Sequence, residues 1–255
     1  MSELQFDYGI RSELPARPET PAMLGAKFLN AIDALSRIDP TIFTNWQVMD
    51  FPVVAPLPLA EARPRIAEII ENNAGRDDFR QPVPEEGYTA SAFTTDAIKA
   101  RRVSLLIQTG GKEKGKTWLQ TGEWPVFPDQ AVVNYSLFKS MLLAIDAVWP
   151  PPWACAYAFR VNYFQAPLYA GAQPFPYSRF HMPWIAYLSN SLIARLSLPS
   201  GIVMERTPDG GLLMSATEDR LDPTNPEHLR RARILAEILM KSTGYSSSEP
   251  VGRAR

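Results

Sequence analysis

Residues 110–117 have the side chains and spacing that bind nucleotide phosphates. They read Gly-Gly-Lys-Glu-Lys-Gly-Lys-Thr and match the pattern GxxxxGK[ST] from Gly110 to Thr117. In that motif the glycine-rich backbone surrounds the phosphates, the lysine contacts them and the threonine hydroxyl reaches magnesium. An apolar strand is predicted directly before the segment, as the motif requires. One hypothesis is therefore a P-loop nucleotide-binding enzyme that uses Gly110, Lys116 and Thr117.

The residues that follow this segment favour a different interpretation. A P-loop needs a helix directly behind the loop, because the helix N-terminus supplies the amides and the dipole that hold the phosphates. Residues 118–125 instead contain β-prone side chains, with Gly122 and Pro125 inside the first two helical turns. Such a sequence is typical of a strand and a turn. We therefore predict a charged hairpin loop at 110–117, and the nucleotide-binding enzyme is the alternative.

Metal binding and nucleophilic catalysis have little support in the sequence. His181 and His228 are the two histidines, and neither has Cys, Asp or Glu at metal-ligand spacing except Glu227, which has a role at a helix start. The single Cys155 lies in an apolar run, which is typical of a buried, inert thiol. The G-x-S-x-G context of a hydrolase nucleophile is absent from the sequence. The sequence predicts no catalytic residue, no metal and no cofactor.

Hydrophobic periodicity predicts an α+β fold with a mainly antiparallel sheet covered by about four helices. Strands are expected at 4–10, 43–51, 88–94, 102–109, 116–124, 153–161, 202–206 and 212–216. Helices are expected from Pro21 to Asp39, from Pro58 to Gly75, from Tyr135 to Trp149 and from Pro226 to Gly244. Residues 1–245 are expected to form a single domain. The polar segments 12–18 and 246–255 are expected to be disordered.

A tight hairpin followed by a capped helix is predicted between residues 209 and 239. Residues 209–211 read Asp-Gly-Gly and accept the positive φ angles of a short turn between two apolar strands. Thr224 and Asn225 offer side-chain oxygens to the free helix amides, and Pro226 fits the first helical turn. Glu227 lies three residues after Thr224, so a capping box is expected there.

This block, read together with Ile-Asp-Pro-Thr-Ile-Phe-Thr-Asn-Trp at 38–46 and Pro-Trp-Ile-Ala-Tyr-Leu-Ser at 183–189, resembles the immunity protein 52 family. Members of that family are antidotes in bacterial polymorphic toxin systems and are encoded beside toxins with a restriction-endonuclease-like nuclease domain. The resemblance, which extends over about 33–244, implies a protein that binds and neutralises a cognate nuclease toxin, without catalysis, in a type VI secretion context. Segments 109–129 and 162–179 fit the family pattern less well. If the toxin binds there, its recognition depends on residues particular to this chain.

Acidic side chains form two clusters that such a nuclease could contact. The predicted toxin-binding acids are Asp77, Asp78, Glu85 and Glu86 in the first cluster and Glu218 and Asp219 in the second. A nuclease presents basic residues to its substrate, so carboxylates placed in that groove would speed association and block the groove. The alternative is that these are ordinary solvated loop acids, several of them paired with Arg76, Arg80 or Arg220.

A stretch broken by Pro and Gly supplies aromatic candidates for the same interface. Its members include Tyr169, Phe175 and Tyr177. Large aromatic side chains are the usual anchors of tight protein interfaces. A buried edge of the core is the other interpretation of this stretch.

Charge and hydropathy limit the remaining function classes. A net charge of −1 and a pI near 6.2 exclude the broad basic field of a direct nucleic-acid binder. Apolar runs stay well below the roughly 20 residues that span a bilayer, and the N-terminus lacks the pattern of a signal peptide, so a cytoplasmic protein without membrane contact is expected. The sequence does not determine the oligomeric state. A scaffold or chaperone for toxin delivery is a further alternative.

Overall fold

One antiparallel sheet organises this computed structural model, which describes residues 6–50, 55–122, 126–160, 182–194, 196 and 201–244. Ten strands are found in the described residues: β1 Phe6–Leu14, β2 Trp46–Val48, β3 Leu57–Pro58, β4 Tyr88–Thr94, β5 Val103–Thr109, β6 Gly115–Thr121, β7 Trp153–Arg160, β8 Met182–Leu188, β9 Val203–Arg206 and β10 Leu212–Ser215. Their order in the sheet is β3-β2-β4-β5-β6-β1-β7-β8-β10-β9.

The α-helices pack on this sheet. Their bounds are α1 Pro21–Ile38, α2 Leu59–Ala62, α3 Ile66–Asn72, α4 Tyr135–Val148, α5 Asn190–Ile193 and α6 Pro226–Thr243. Four segments match the predicted helices, with the second one broken into α2, a 3-10 turn at Arg63–Arg65 and α3 because Pro64 cannot donate to the helical ladder. The predicted α+β class with a mainly antiparallel sheet is confirmed.

The N-terminal strand lies in the middle of the sheet. β1 pairs with β6 on one side and with β7 on the other. The expectation that 12–18 is disordered is therefore wrong: Ser12 lies inside β1, its hydroxyl is 2.6 Å from that of Thr117, and Pro18 bridges to Gly110. The polar composition of 12–18 reflects only local preference, whereas strand pairing with β6 and β7 orders residues 12–14.

β8 was not predicted by the pattern analysis. All seven of its residues are buried, so it shows no alternation of apolar and polar side chains. Trp184 packs against Phe138 of α4 and Tyr8 of β1, with ring centroids 5.2 and 6.1 Å apart, and α6 also contacts β8. A strand covered on both faces loses the period of two by which strands are recognised in a sequence.

Asn225 caps the start of α6. Its side-chain oxygen accepts hydrogen bonds from the amides of Glu227, at 2.9 Å, and His228, at 3.4 Å. The predicted capping box is wrong, because the Thr224 hydroxyl donates to the Asp222 carboxylate and Glu227 pairs with arginines of the next turn. The Asn225 cap and the Pro226 start were predicted correctly.

We expect Asn225→Ala to lower the free energy of unfolding by about 1 kcal/mol, because two first-turn amides lose their acceptor. Urea denaturation of the purified protein measures this loss. Thr224→Ala is the matched control, and it should cost less than Asn225→Ala. The reverse order would show that Thr224 supplies the cap.

Candidate protein-binding surface

The loop between β5 and β6 is a hairpin loop, and the backbone of residues 85–87 packs against it. A Cβ atom on Gly111 would lie 2.5 Å from the amide nitrogen of Gly87, and the Lys112 amide donates to the Glu85 carbonyl at 2.9 Å. Residues 115–121 form the strand β6 instead of the helix that a P-loop requires directly after the loop, and the Thr117 hydroxyl is buried against Ser12. The predicted hairpin is confirmed. The P-loop hypothesis is wrong, because both the helix and the space for phosphates are lacking there.

Residues 76–86, which we call the acidic loop, have a defined shape. The Asp77 carboxylate accepts from the amides of Phe79 and Gln81 at 2.9 and 2.8 Å. The Arg76 guanidinium donates to the Arg80 carbonyl at 2.8 Å and to the Asn72 carbonyl at 3.3 Å. Asp77 therefore holds the turn, and the Arg76 side chain is bonded to backbone rather than to the neighbouring acids.

The acidic loop presents an aromatic side chain at its tip. Phe79 is 83% exposed. Asp78, Glu85 and Glu86 of the same loop are exposed as well. These acids were predicted as contacts from the sequence, but Phe79 was not. An aromatic residue between Asp78 and Arg80 in a polar loop could have indicated it. A side chain of this size gains little by facing water, so it marks the loop as a candidate contact.

The second acidic cluster lies far from the first. Glu218 and Asp219 are exposed, and the Asp219 amide donates to the Thr217 hydroxyl at 3.1 Å. The strand register puts the start of β10 at the same edge of the sheet as the start of β4. The acidic loop precedes β4 and lies at that edge, whereas Glu218 follows the end of β10 and lies at the opposite edge. Six strand spacings also separate β4 from β10, roughly 29 Å along the sheet at about 4.8 Å each. The two clusters do not form one patch.

The aromatic candidates are not located by this structure. Tyr169, Phe175 and Tyr177 lie outside the described residues, as does His181. Cys155 is buried, and burial raises the pKa of its thiol, which agrees with the predicted inert cysteine.

Asp7 and Asp146 are two of the four carboxyl residues that are buried in the described part of the chain, with Glu19 and Asp50. Burial raises the pKa of Asp7 in β1 to about 6. Asp146 of α4 is also buried; burial first, and then the nearby Asp209 carboxylate, raises its pKa well above the usual range. Both groups therefore bear on stability and not on surface recognition.

Over the ranges that the structure describes, there is no group of three or more His, Cys, Asp or Glu side chains that could hold a metal ion. None of the described helices has the length and apolar character needed to cross a bilayer. The exposed candidates are thus the acidic loop and the Glu218 cluster.

Comparison with known proteins supports the family resemblance. Residues 126–245 match the family model described as immunity protein 52. None of the curated proteins matches the chain. A matching solved structure is that of the Pseudomonas aeruginosa T6SS protein PA0821, with 11% identity and a TM-score of 0.50 over 93% of this chain and 75% of that chain. At this identity the likeness shows the fold alone. The resemblance of this chain to the immunity protein 52 family is therefore confirmed over residues 126–245.

Proposed function

We propose that this protein is a cytoplasmic immunity protein that binds and neutralises a cognate toxin through stoichiometric protein–protein contact, without catalysis. The family match at 126–245 supports this role. The T6SS protein PA0821 shares the fold over nearly the whole chain, which agrees with residues 1–245 acting as one immunity domain. The sheet passes through both halves of the chain, because β1 joins the strands on either side of it.

The toxin is a nuclease with a restriction-endonuclease fold in this proposal. The physical support comes from the acidic loop, whose exposed carboxylates suit the basic groove with which a nuclease binds its substrate. The single observation that carries the proposed contact surface is Phe79, 83% exposed at the tip of a loop shaped by Asp77. An exposed aromatic side chain in a loop that also carries acids can fill an apolar pocket while the acids pair with the rim of that pocket.

Glu218 and Asp219 form a second proposed contact, which acts independently of the acidic loop. The distance along the sheet prevents both clusters from entering one narrow groove. Their carboxylates can still attract a basic partner over a Debye length of about 8 Å at physiological ionic strength. Tyr169, Phe175 and Tyr177 remain proposed aromatic contacts.

Co-expression with the toxin encoded beside this protein tests the proposed role. We expect the chain to protect cells, to inhibit nuclease activity in a purified assay and to titrate the toxin at a 1:1 ratio by calorimetry. Binding without inhibition would instead support a scaffold or delivery chaperone. Absence of both protection and binding would end the proposal.

Variants of the acidic loop test the binding surface. We expect Phe79→Ala to weaken toxin binding about 30-fold, mainly through faster dissociation, because an interface anchor is worth about 2 kcal/mol. Asp78→Lys with Glu86→Lys should slow association at low salt, because the electrostatic attraction is reversed. Stopped-flow kinetics with catalytically inactive toxin measures both rates. Asp77 is left unchanged, because its carboxylate holds the loop.

Glu218→Lys with Asp219→Lys is the matched charge reversal at the other cluster. Slower association for this pair alone would place the contact at Glu218 and Asp219. Unchanged rates for both pairs and for Phe79→Ala would remove these surfaces from the proposal.

A further inference from the structure

Half of the sheet has one side that no described helix covers. Burial alternates along β4, β5 and β6, so every second side chain is buried and those between are exposed or half-buried. The buried side packs on the helices, since Ala90 and Ile107 meet Leu24 of α1 and Ile70 of α3. The other side, which we call the open face, carries Phe93, Leu106, Gln108, Lys116, Trp118 and, from β1, Arg11.

Trp118 lies at the centre of the open face. It pairs with Leu106 on β5 and with Arg11 on β1, and it is 39% exposed. Burial raises the pKa of the Tyr157 hydroxyl, and the nearby Trp118 indole partly opposes this rise. That hydroxyl lies 3.1 Å from where a Cβ atom on Gly9 would be, so the small residue leaves the room that Tyr157 occupies. Its cross-strand neighbours and the Tyr157 hydroxyl limit the positions of the indole, which lowers the entropic cost of using it in an interface.

Two positively charged side chains lie beside Trp118. Arg11 and Lys116 are both half-buried on the open face. Burial first, and then the charge of Arg11, lowers the pKa of Lys116. The Arg11 Nε atom is buried without a hydrogen-bond partner in the part of the chain that the structure describes. The carboxylate of Glu13, next to Lys116 across the strands, forms an ion pair with Lys114 at 2.7 Å.

A partly buried cation with an unsatisfied N–H gains most from a carboxylate, which accepts charge-assisted hydrogen bonds. Arg11, with its unsatisfied Nε–H, and the half-buried Lys116 beside an aromatic ring therefore fit a segment that carries acidic side chains next to apolar ones. Single-stranded nucleic acid also combines negative charge with rings that stack on tryptophan. It is less suited to this face, because two cations on a chain with a net charge of −1 give little phosphate attraction.

The open face borders the acidic loop. The hairpin that joins β5 to β6 contacts the acidic loop through the Lys112 amide and the Glu85 carbonyl. Thr89, shortly after the acidic loop, pairs with Gln108, which in turn pairs with Lys116. Two strand spacings therefore separate Thr89 from Lys116, roughly 10 Å. A partner that covers the usual area of about 800 Å² can therefore contact both surfaces at once.

We propose that the open face, centred on Trp118, is a second part of the toxin-binding surface and receives an acidic segment of the toxin beside Arg11 and Lys116. This inference rests on the proposed immunity function. The open face contributes positive charge, whereas the acidic loop contributes negative charge. The toxin must therefore present a basic patch and an acidic patch side by side. Such alternation fixes the orientation of a partner and excludes partners with a single charge sign.

Calorimetry and stopped-flow kinetics of the full chain with catalytically inactive toxin test this inference. We expect Trp118→Ala to weaken binding roughly tenfold or more, mainly through faster dissociation, and Lys116→Glu to weaken it by a similar factor. Trp118→Phe keeps an apolar ring but loses the indole N–H and part of the contact area, so its affinity should fall between those of the wild type and Trp118→Ala. Urea denaturation of each variant checks that the fold is intact.

Two exposed side chains outside the open face provide matched controls. Met204 on the edge strand β9 is 40% exposed, like Trp118, and Lys241 is an exposed cation on α6. Met204→Ala and Lys241→Glu should bind the toxin as the wild type does. Losses equal to those of Trp118→Ala and Lys116→Glu would mean that the open face has no special part in binding.

The outcomes separate this inference from the proposed function. If the wild type protects cells and the open-face variants bind toxin normally, the inference fails and the immunity function stands. If the wild type binds a labelled oligo-dT at micromolar affinity and Trp118→Ala abolishes this binding, the open face is a nucleic-acid site and the inference is overturned. If the wild type does not bind the toxin, both proposals fail.

Discussion

Trp184→Ala is expected to lower the free energy of unfolding by about 4 kcal/mol, among the largest effects of a single substitution in this chain. The side chain is fully buried, with Phe138 and Tyr8 against its ring. Its indole N–H donates to the Thr217 carbonyl at 3.0 Å. Alanine would leave a cavity between β8 and α4 and would remove the donor from a buried carbonyl. Urea denaturation with a two-state fit measures the loss.

Two further variants separate packing from general damage. Trp184→Phe keeps most of the volume and loses the hydrogen bond, so we expect a smaller cost of about 1–2 kcal/mol. Phe79→Ala removes an aromatic ring that is 83% exposed and should change stability by less than about 0.5 kcal/mol. A cost for Trp184→Ala below that of Trp184→Phe would contradict the packing account. Because Thr217 directly precedes Glu218, loss of Trp184 should also loosen the second acidic cluster.

Asp7→Asn is expected to stabilise the protein by up to about 3 kcal/mol at pH 8 and to change little below about pH 4. Burial raises the pKa of Asp7 in the folded state from its ordinary 3.8 to about 6. Folding therefore favours the protonated acid, so the stability that this group contributes is complete below pH 3.8 and is lost as the pH rises through 6. A shift of about two pKa units corresponds to about 3 kcal/mol. Asparagine carries no charge at any pH, so the variant lacks the destabilisation caused by burying an ionised carboxylate.

Unfolding free energies of the wild type and Asp7→Asn between pH 4 and pH 8 check the sign as well as the size. The difference between them should grow with pH and level off above about pH 7. Using the difference removes the contribution of Asp146, whose pKa is raised by burial in both proteins. Asp78→Asn on the exposed acidic loop is the control for loss of one negative charge. A difference that stays constant with pH would show that Asp7 is ionised in the folded protein throughout this range.

Local chemistry in the sequence determined most of the elements around the candidate surface. Pro21 and Thr20 mark the start of α1, and Asn225 marks the start of α6, because a free helix amide needs a nearby side-chain acceptor. The β-prone residues after Gly115 excluded a P-loop helix for a similarly local reason. The exposure of the acids in the acidic loop was also predictable from the sequence, since short runs of charged residues are typical of solvated turns.

Two strands were decided only by the tertiary structure. β1 became a central strand because β6 and β7 pair with both of its edges, a long-range contact that local composition does not encode. β8 is buried on both sides, so it shows no strand periodicity.

The candidate surface also depends on strand order. The sheet places the acidic loop and Glu218 at opposite strand ends, and it brings Arg11 and Trp118 from distant parts of the chain into one cross-strand pair. The sequence by itself determined which residues are acidic, apolar or helix-capping, because these are properties of single residues and their near neighbours. Which of them share a surface was decided by the register and the order of the strands, because backbone pairing between distant segments fixes both.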